Sequence, residues 1–89
     1  MKNRPNEINT ALAARLNKVE GQVRGVKAMI ERQAYCDDVL MQIAAIQSAM
    51  GSVARILLDS HIKTCISPRL AEGDDGAVDE LIKTVGRLM

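Results

Sequence analysis

From Ile8 onward the apolar residues of this chain fall at Ile8, Leu12, Leu16, Val19, Val23, Val26 and Ile30, with spacings of 4, 4, 3, 4, 3 and 4. That rhythm draws one unbroken stripe along an amphipathic helix. A second stripe runs through Val39, Ile43, Ile46, Met50, Val53 and Leu57, with Leu40, Ile56 and Ile62 beside it. Asp37 and Asp38 stand in its first turn, where the helix dipole favours carboxylates, and Pro68 lies beyond its expected end. The second helix is therefore expected over about 36–66, roughly 45 Å at 1.5 Å per residue. Arg69–Gly76 reads as a loop rich in Gly and Asp. A short helix over Ala77–Leu88 follows, with Val78, Leu81, Ile82 and Val85 as its apolar side. Pro5 fits before or within the first turn of the first helix, and Asn6 is its candidate cap. Gly21 and Gly25 interrupt the first stripe at roughly 1 kcal/mol each. They are either tolerated or placed for a close backbone approach.

Composition narrows the fold further. Apolar residues make up 47% of the 89, yet there is no Trp or Phe, and Tyr35 is the one aromatic. The core must be aliphatic, and the β-branched and aromatic enrichment of strand-rich folds is missing. The expected class is all-α, a single domain over 1–89 with three helices. Helices this long cannot wrap a compact monomeric core, and burial on a chain of this length is marginal in any case. The stripes should be covered by other protomers, in a helical-bundle dimer or a higher oligomer. Arg55 and Asp59 break the longest apolar run, so no membrane span is expected. The opening MKNRPNEIN lacks the apolar stretch of a secretory signal. Both cysteines are then expected in a reducing cytoplasm, where a disulfide scaffold is disfavoured.

The net charge of +1 conceals an asymmetry. Residues 1–32 carry seven bases against three acids, and the remainder five bases against eight acids, so the two segments stand at +4 and −3. A basic first third points to a polyanionic partner, although a solvated helix face has the same look. Arg4, Arg15 and Lys18 fall along one flank of the first stripe with no acid among them. The opposite flank mixes Arg24 and Lys27 with Glu20 and Glu31.

Chemistry concentrates in three residues, Cys36, His61 and Cys65. The last two are i, i+4 and share one helix face, a natural two-pronged metal grip. Cys36 lies 25 residues before His61, nearly seven turns, which puts it on almost the same side but roughly 37 Å away along a continuous helix. One helix cannot close that site on itself; an antiparallel copy can, so a three-ligand site would span a subunit interface. Two thiolates and an imidazole form a soft donor set suited to Cu(I) or Zn(II). Zinc usually takes a fourth ligand, and no further Cys or His is present. Against this stand ordinary roles, a packed cysteine and a histidine cation near a helix end. A hydrolytic Cys–His dyad finds no oxyanion or substrate element to work with, so no enzyme is expected.

Arg15-Leu16, Val19-Glu20-Gly21-Gln22-Val23-Arg24-Gly25, Tyr35-Cys36-Asp37-Asp38-Val39, Gln42-Ile43 and His61-x-x-x-Cys65 together resemble the copper-sensitive operon repressor family. Its relatives answer to copper, nickel or cobalt, formaldehyde or persulfides, and the resemblance covers nearly the whole chain. It implies an all-α protomer in an antiparallel dimer, dimers pairing into a tetramer, and operator DNA bound without effector and released with it. Cys36, His61 and Cys65 match the Cu(I)-sensing pattern. Nickel and cobalt relatives carry histidine where Cys65 stands, formaldehyde relatives a proline where Lys2 stands, and persulfide relatives lack the histidine. Tyr35 and Glu80 match positions that surround the copper ligands in the family, and Arg15 a basic position used for DNA. Some relatives carry arginine where Ser52 stands, and Arg55 one turn later is the candidate substitute.

The expected function is thus a cytoplasmic Cu(I)-responsive repressor acting on double-stranded operator DNA. Arg15, Lys18, Arg24 and Arg55 are its candidate DNA contacts. Phosphate contacts spread over the assembly fit better than base stacking on single strands, which needs aromatics. A thiol-based persulfide sensor and a helical interaction module with a structural zinc site are the competing readings.

Overall fold

The structure is a computed structural model and describes residues 5–89; Lys2 and Arg4 lie outside the described residues. Helix α1 spans Asn6–Glu31 and α2 spans Cys36–His61. A π-helical turn, Ile62–Ile66, continues α2 into the short α3, Ser67–Ala71, and α4 runs Gly76–Leu88. All regular structure among the described residues is helical, as an aliphatic, aromatic-poor chain requires. Asn6, the expected cap, is the first residue of α1 itself.

The second helix corrects the sequence reading. It was expected to stop near residue 66 with Pro68 beyond it, yet the chain stays helical to Ala71 and Pro68 sits in the first turn of α3. A proline inside a regular helix clashes with the carbonyl four residues back, here Thr64, and lacks the N–H that would bond it. The π turn relieves both problems by holding one extra residue. Its signature bond runs from the Ser67 N–H to the Ile62 carbonyl, five residues back. Thr64 turns its own hydroxyl back to the Ser60 carbonyl at 2.7 Å. The result is a helical stretch, Cys36–Ala71, that by length and composition could cross a membrane, where the broken apolar run predicted none. Apolar helices of water-soluble bundles meet the same test, and little of this one's apolar surface is buried in the isolated protomer.

Two compact units divide the described chain, 6–53 and 54–89. In the first, Leu12 and Val19 of α1 and Val39 and Val53 of α2 are buried. In the second, the π turn, α3 and α4 pack together, with Ile66 and Ala77 fully buried and Ser60 nearly so. Much of the remaining stripe is open: Leu16, Val23, Ile30, Leu40, Met50 and Ile82 are all exposed. Neither Gly21 nor Gly25 meets another helix, since a side chain at Gly25 would enter open space and one at Gly21 would touch only the Arg24 guanidinium. Within the protomer these glycines are tolerated rather than required.

Both long helical stretches end on the same device. After α1, Ala34 N–H bonds the Met29 carbonyl at 2.8 Å and Gln33 N–H the Ile30 carbonyl at 3.1 Å. After α3, Asp74 N–H bonds the Arg69 carbonyl at 2.9 Å and Gly73 N–H the Leu70 carbonyl at 3.0 Å. Each is a Schellman turn, whose pivot residue must be left-handed. Gly73 adopts that conformation freely at φ 84°, whereas Gln33 holds it at φ 57° against its own Cβ. Gly73→Ala should therefore destabilise by about 1 kcal/mol, and Gln33→Gly should be neutral or stabilising by up to about 1 kcal/mol. Urea unfolding of the three proteins at one fixed protomer concentration measures both; equal loss in the two variants would contradict the assignment of strain.

Candidate metal centre and its hydrogen-bond relay

Helix ends position the three candidate ligands. Cys36 is the first residue of α2 and is exposed. Tyr35, just before it, is 74% exposed. The Tyr35 carbonyl accepts the N–H groups of Asp38 at 3.1 Å and Val39 at 3.2 Å, which fixes the start of α2. His61 closes α2, its side chain 19% exposed. Cys65 is half-buried in the π turn, its Sγ 3.9 Å from the Thr64 hydroxyl oxygen, whose proton goes to the Ser60 carbonyl. No three His, Cys, Asp or Glu side chains gather into a metal site among the described residues of one chain. His61 and Cys65 lie in the unit 54–89, and Cys36 in the unit 6–53.

What the structure does bring together is a relay of side chains behind His61. Its Nε2 lies 3.2 Å from Oε2 of Glu80 on α4. A carboxylate only accepts, so Nε2 carries the proton, and in the neutral ring the lone pair is left on Nδ1. The other Glu80 oxygen, Oε1, accepts from Nη1 of Arg69 at 2.9 Å. Arg69 also donates through Nε to Oδ2 of Asp74 at 2.8 Å. Asp74 Oδ1 in turn accepts the Gly76 N–H at 3.0 Å, satisfying an orphan donor at the start of α4. Glu80, expected from resemblance to stand near the ligands, thus touches His61. Tyr35, paired with it in that expectation, belongs to the other unit.

Electrostatics follow the same chain. The Arg69 hydrogen bond holds the Glu80 carboxyl below the usual glutamate range, with His61 adding to it and desolvation opposing. Arg69 likewise holds Asp74 below the ordinary aspartate range, helped by the Gly76 N–H. The guanidinium itself is pushed further up, first by Glu80 and then by Asp74.

Arg69 and Asp74 escaped the sequence reading because residues 69–76 looked like a loop with no period to follow. The signal was there in Gly73: a left-handed pivot folds the end of α3 back and sets Arg69 beside Asp74, five residues on. On the basic side, Arg15 and Lys18 of α1 share a groove of about 550 Å³ with Val19 and Gln22. Ala45, Ser48, Ala49 and Ser52 of α2 form its other wall. Arg24 is exposed on α1 but does not line the groove, and Arg55 lies in the unit 54–89.

Residues 8–87 match the sequence profile described as "metal-sensitive transcriptional repressor". The chain belongs to that family. The metal-sensitive repressors are regulators of transcription and not enzymes, so they act on DNA, in whatever compartment holds it. Among relatives, the copper-sensing transcriptional repressor RicR of Mycobacterium tuberculosis is 54% identical over 69 residues, covering 78% of this chain and 72% of RicR. The copper-sensing repressor CsoR of Bacillus subtilis is 45% identical over 69 residues, 76% of this chain and 68% of that protein. The fold superposes on the crystal structure of CsoR with Cu(I) from Geobacillus thermodenitrificans with a TM-score of 0.89 and 37% identity. That match covers 99% of this chain and 93% of the other. The nickel-responsive regulator InrS gives a TM-score of 0.80 and 34% identity, over 100% of this chain and 98% of InrS.

The Arg69–Asp74 link sets a pH dependence. Because Asp74 is held below its ordinary range when folded, the link stabilises at neutral pH. Its contribution is lost as pH falls through the ordinary aspartate range and below. Asp74→Asn should therefore lower stability at pH 7 but flatten the acid limb of a plot of unfolding midpoint against pH between about 5 and 2. An unchanged acid limb would mean that Arg69 and Asp74 are not paired in solution.

Proposed function

We propose that this metal-sensitive repressor senses Cu(I) in the cytoplasm, holding operator DNA without the metal and releasing it with the metal. The observation that carries the reading is the His61–Glu80 hydrogen bond. It leaves Nδ1 of His61 as the imidazole donor, one residue from a π turn that contains Cys65. With Cys36 these residues make a soft donor set of two thiolates and one imidazole, which suits Cu(I) better than zinc, for which a fourth ligand is wanting. The copper-sensing relatives RicR and CsoR support the same choice. Among the described residues no three donors gather within one chain; in this reading Cys36 of one protomer completes the site with His61 and Cys65 of its partner. The exposed aliphatic stripes of α1 and α2 pack an antiparallel dimer, and dimers pair into a tetramer. Tyr35 stands beside Cys36 in the sequence and adds its hydroxyl to the surroundings of the site.

Arg15 and Lys18 in the groove, with Arg24 and Arg55 outside it, supply the phosphate contacts to the operator. In this reading copper binding loads His61, and the relay through Glu80 passes the load to α4.

Anaerobic Cu(I) titration, with operator binding followed by fluorescence anisotropy, tests the function. A response to polysulfide in place of copper would favour a thiol sensor, and no operator binding at all would favour an interaction module. The shared site has its own consequence in the same assay. In a verified heterodimer of Cys36→Ala and Cys65→Ala chains, one site has lost both cysteines and the other none. Half of the high-affinity Cu(I) sites should return, and recovery of none would rule out sharing.

Arg15 makes a separate prediction. Each phosphate contact removed should take about 0.9 from the slope of log affinity against log salt, multiplied by the copies engaged. Arg15→Ala should therefore bind operator more weakly at low salt and with a flatter slope. Wild-type affinity at every salt concentration would make the α1 groove a solvated face.

A further inference from the structure

We infer that Arg69 is the positioning residue of the sensor: by holding Oε1 of Glu80 it aims Oε2 at His61, and by holding Asp74 it ties that contact to the start of α4. The inference rests on the Cu(I) reading above, and three observations carry it. First, Arg69 touches both carboxylates of the relay, Nη1 on Glu80 at 2.9 Å and Nε on Asp74 at 2.8 Å. Only a planar guanidinium presents two donors at a fixed angle; an ammonium is a point charge on a flexible stem. Second, both oxygens of Glu80 and both of Asp74 are engaged, by Arg69 and His61 in one case and by Arg69 and the Gly76 N–H in the other. The rotation of the Glu80 carboxylate is thereby fixed from the side away from His61. Third, the Arg69 backbone is bound as well, its carbonyl accepting the Asp74 N–H at 2.9 Å in the Gly73 turn. Side chain and main chain of one residue therefore clamp the same turn.

A shift of the His61 ring is then felt by a carboxylate with no room to turn without breaking its bond to Arg69. That bond is shared with the turn leading into α4, so the disturbance reaches the helix rather than dissipating in a loose glutamate. Glu80 is 46% exposed even with Arg69 bound, so without Arg69 its carboxylate is free to rotate into water. His61 would keep its ability to bind metal but lose its fixed tautomer and its connection.

His61 is the only histidine in the chain, so ¹⁵N-histidine labelling reports this one ring in the full assembly. In the apo protein, wild type should show the Nε2–H tautomer dominant. Arg69→Met should lower the Nε2–H share toward that of an unpartnered imidazole, in which Nδ1–H is a substantial minor form, with Arg69→Lys between them. Arg87→Met, an exposed cation in the last turn of α4, should look like wild type and controls for loss of charge alone. In the copper assay, Arg69→Met should hold Cu(I) within about threefold of wild type by chelator competition. Its copper-induced drop in operator affinity should shrink at least about tenfold, within the range of 5–150-fold that such couplings span. A merely structural role would lower the unfolding midpoint and both affinities together, without that split. If Arg69→Met fails to assemble, Arg69→Lys carries both measurements.

The two readings fail separately. Wild type that keeps its DNA under copper overturns the Cu(I) function, while the apo tautomer still reports on Arg69. An unchanged His61 tautomer in Arg69→Met, or a full copper-induced release of DNA by that variant, overturns the positioning role.

Discussion

Aliphatic side chains on long helices offer burial on one side only, and this protein has almost nothing else to bury. With Tyr35 exposed and neither Phe nor Trp in the chain, no large ring fills the space between α1 and α2. The apolar side chains fully or nearly covered in the protomer are Leu12, Val19, Val39, Val53, Ile66 and Ala77. At about 25 cal/mol per Å² of apolar surface removed from water, that core is small against the entropy of ordering the chain. Exposed Leu16, Val23, Leu40 and Met50 continue the same stripes, and they are the surface a second copy has to cover. In the proposed dimer, assembly is thus part of folding.

The unit 54–89 is organised differently, by polar contacts at a helix junction. Ile66 and Ala77 pack the π turn against α4, but the orientation of α4 is marked by hydrogen bonds. Arg69, Asp74 and Glu80 are each partly exposed, so water competes with every one of these bonds. Such a network specifies geometry more than it stabilises, which is the property a two-state regulator needs: an arrangement definite enough to transmit a change, yet cheap to rearrange.

Most of this was legible in the sequence where a period governed it. The stripes of α1 and α2 and the short last helix followed from spacing alone. Resemblance added Glu80, which stands against His61, and the copper-sensing reading. What stayed hidden depended on local breaks of period. Pro68, expected beyond the end of α2, is absorbed by a single extra residue in the preceding turn. Arg69 and Asp74 fall in the stretch expected to be a loop, where no period marks them. Gln33 gave no warning either, since a glutamine in a left-handed pivot breaks the rule that glycine or asparagine belongs there. The groove wall of Ser48 and Ser52 was invisible because small polar residues on a helix carry no signal until a neighbour faces them.

The π turn has a consequence for how such chains vary. Each residue of a regular helix advances the side chains by about 100°, so the extra residue in Ile62–Ile66 sets α3 out of phase with α2 by about one residue's rotation. Counting by threes and fours from His61 across the turn therefore assigns Arg69 and Leu70 to the wrong face. The same arithmetic runs in reverse over evolutionary time. Loss of one residue from this turn would leave Cys36 and His61 in place, but it would change the position of Cys65 relative to His61 and swing the guanidinium of Arg69 away from α4. A one-residue insertion or deletion, ordinarily the most damaging event inside a helix, would here act on Cys65 and Arg69 together, because one turn sets the facing of both.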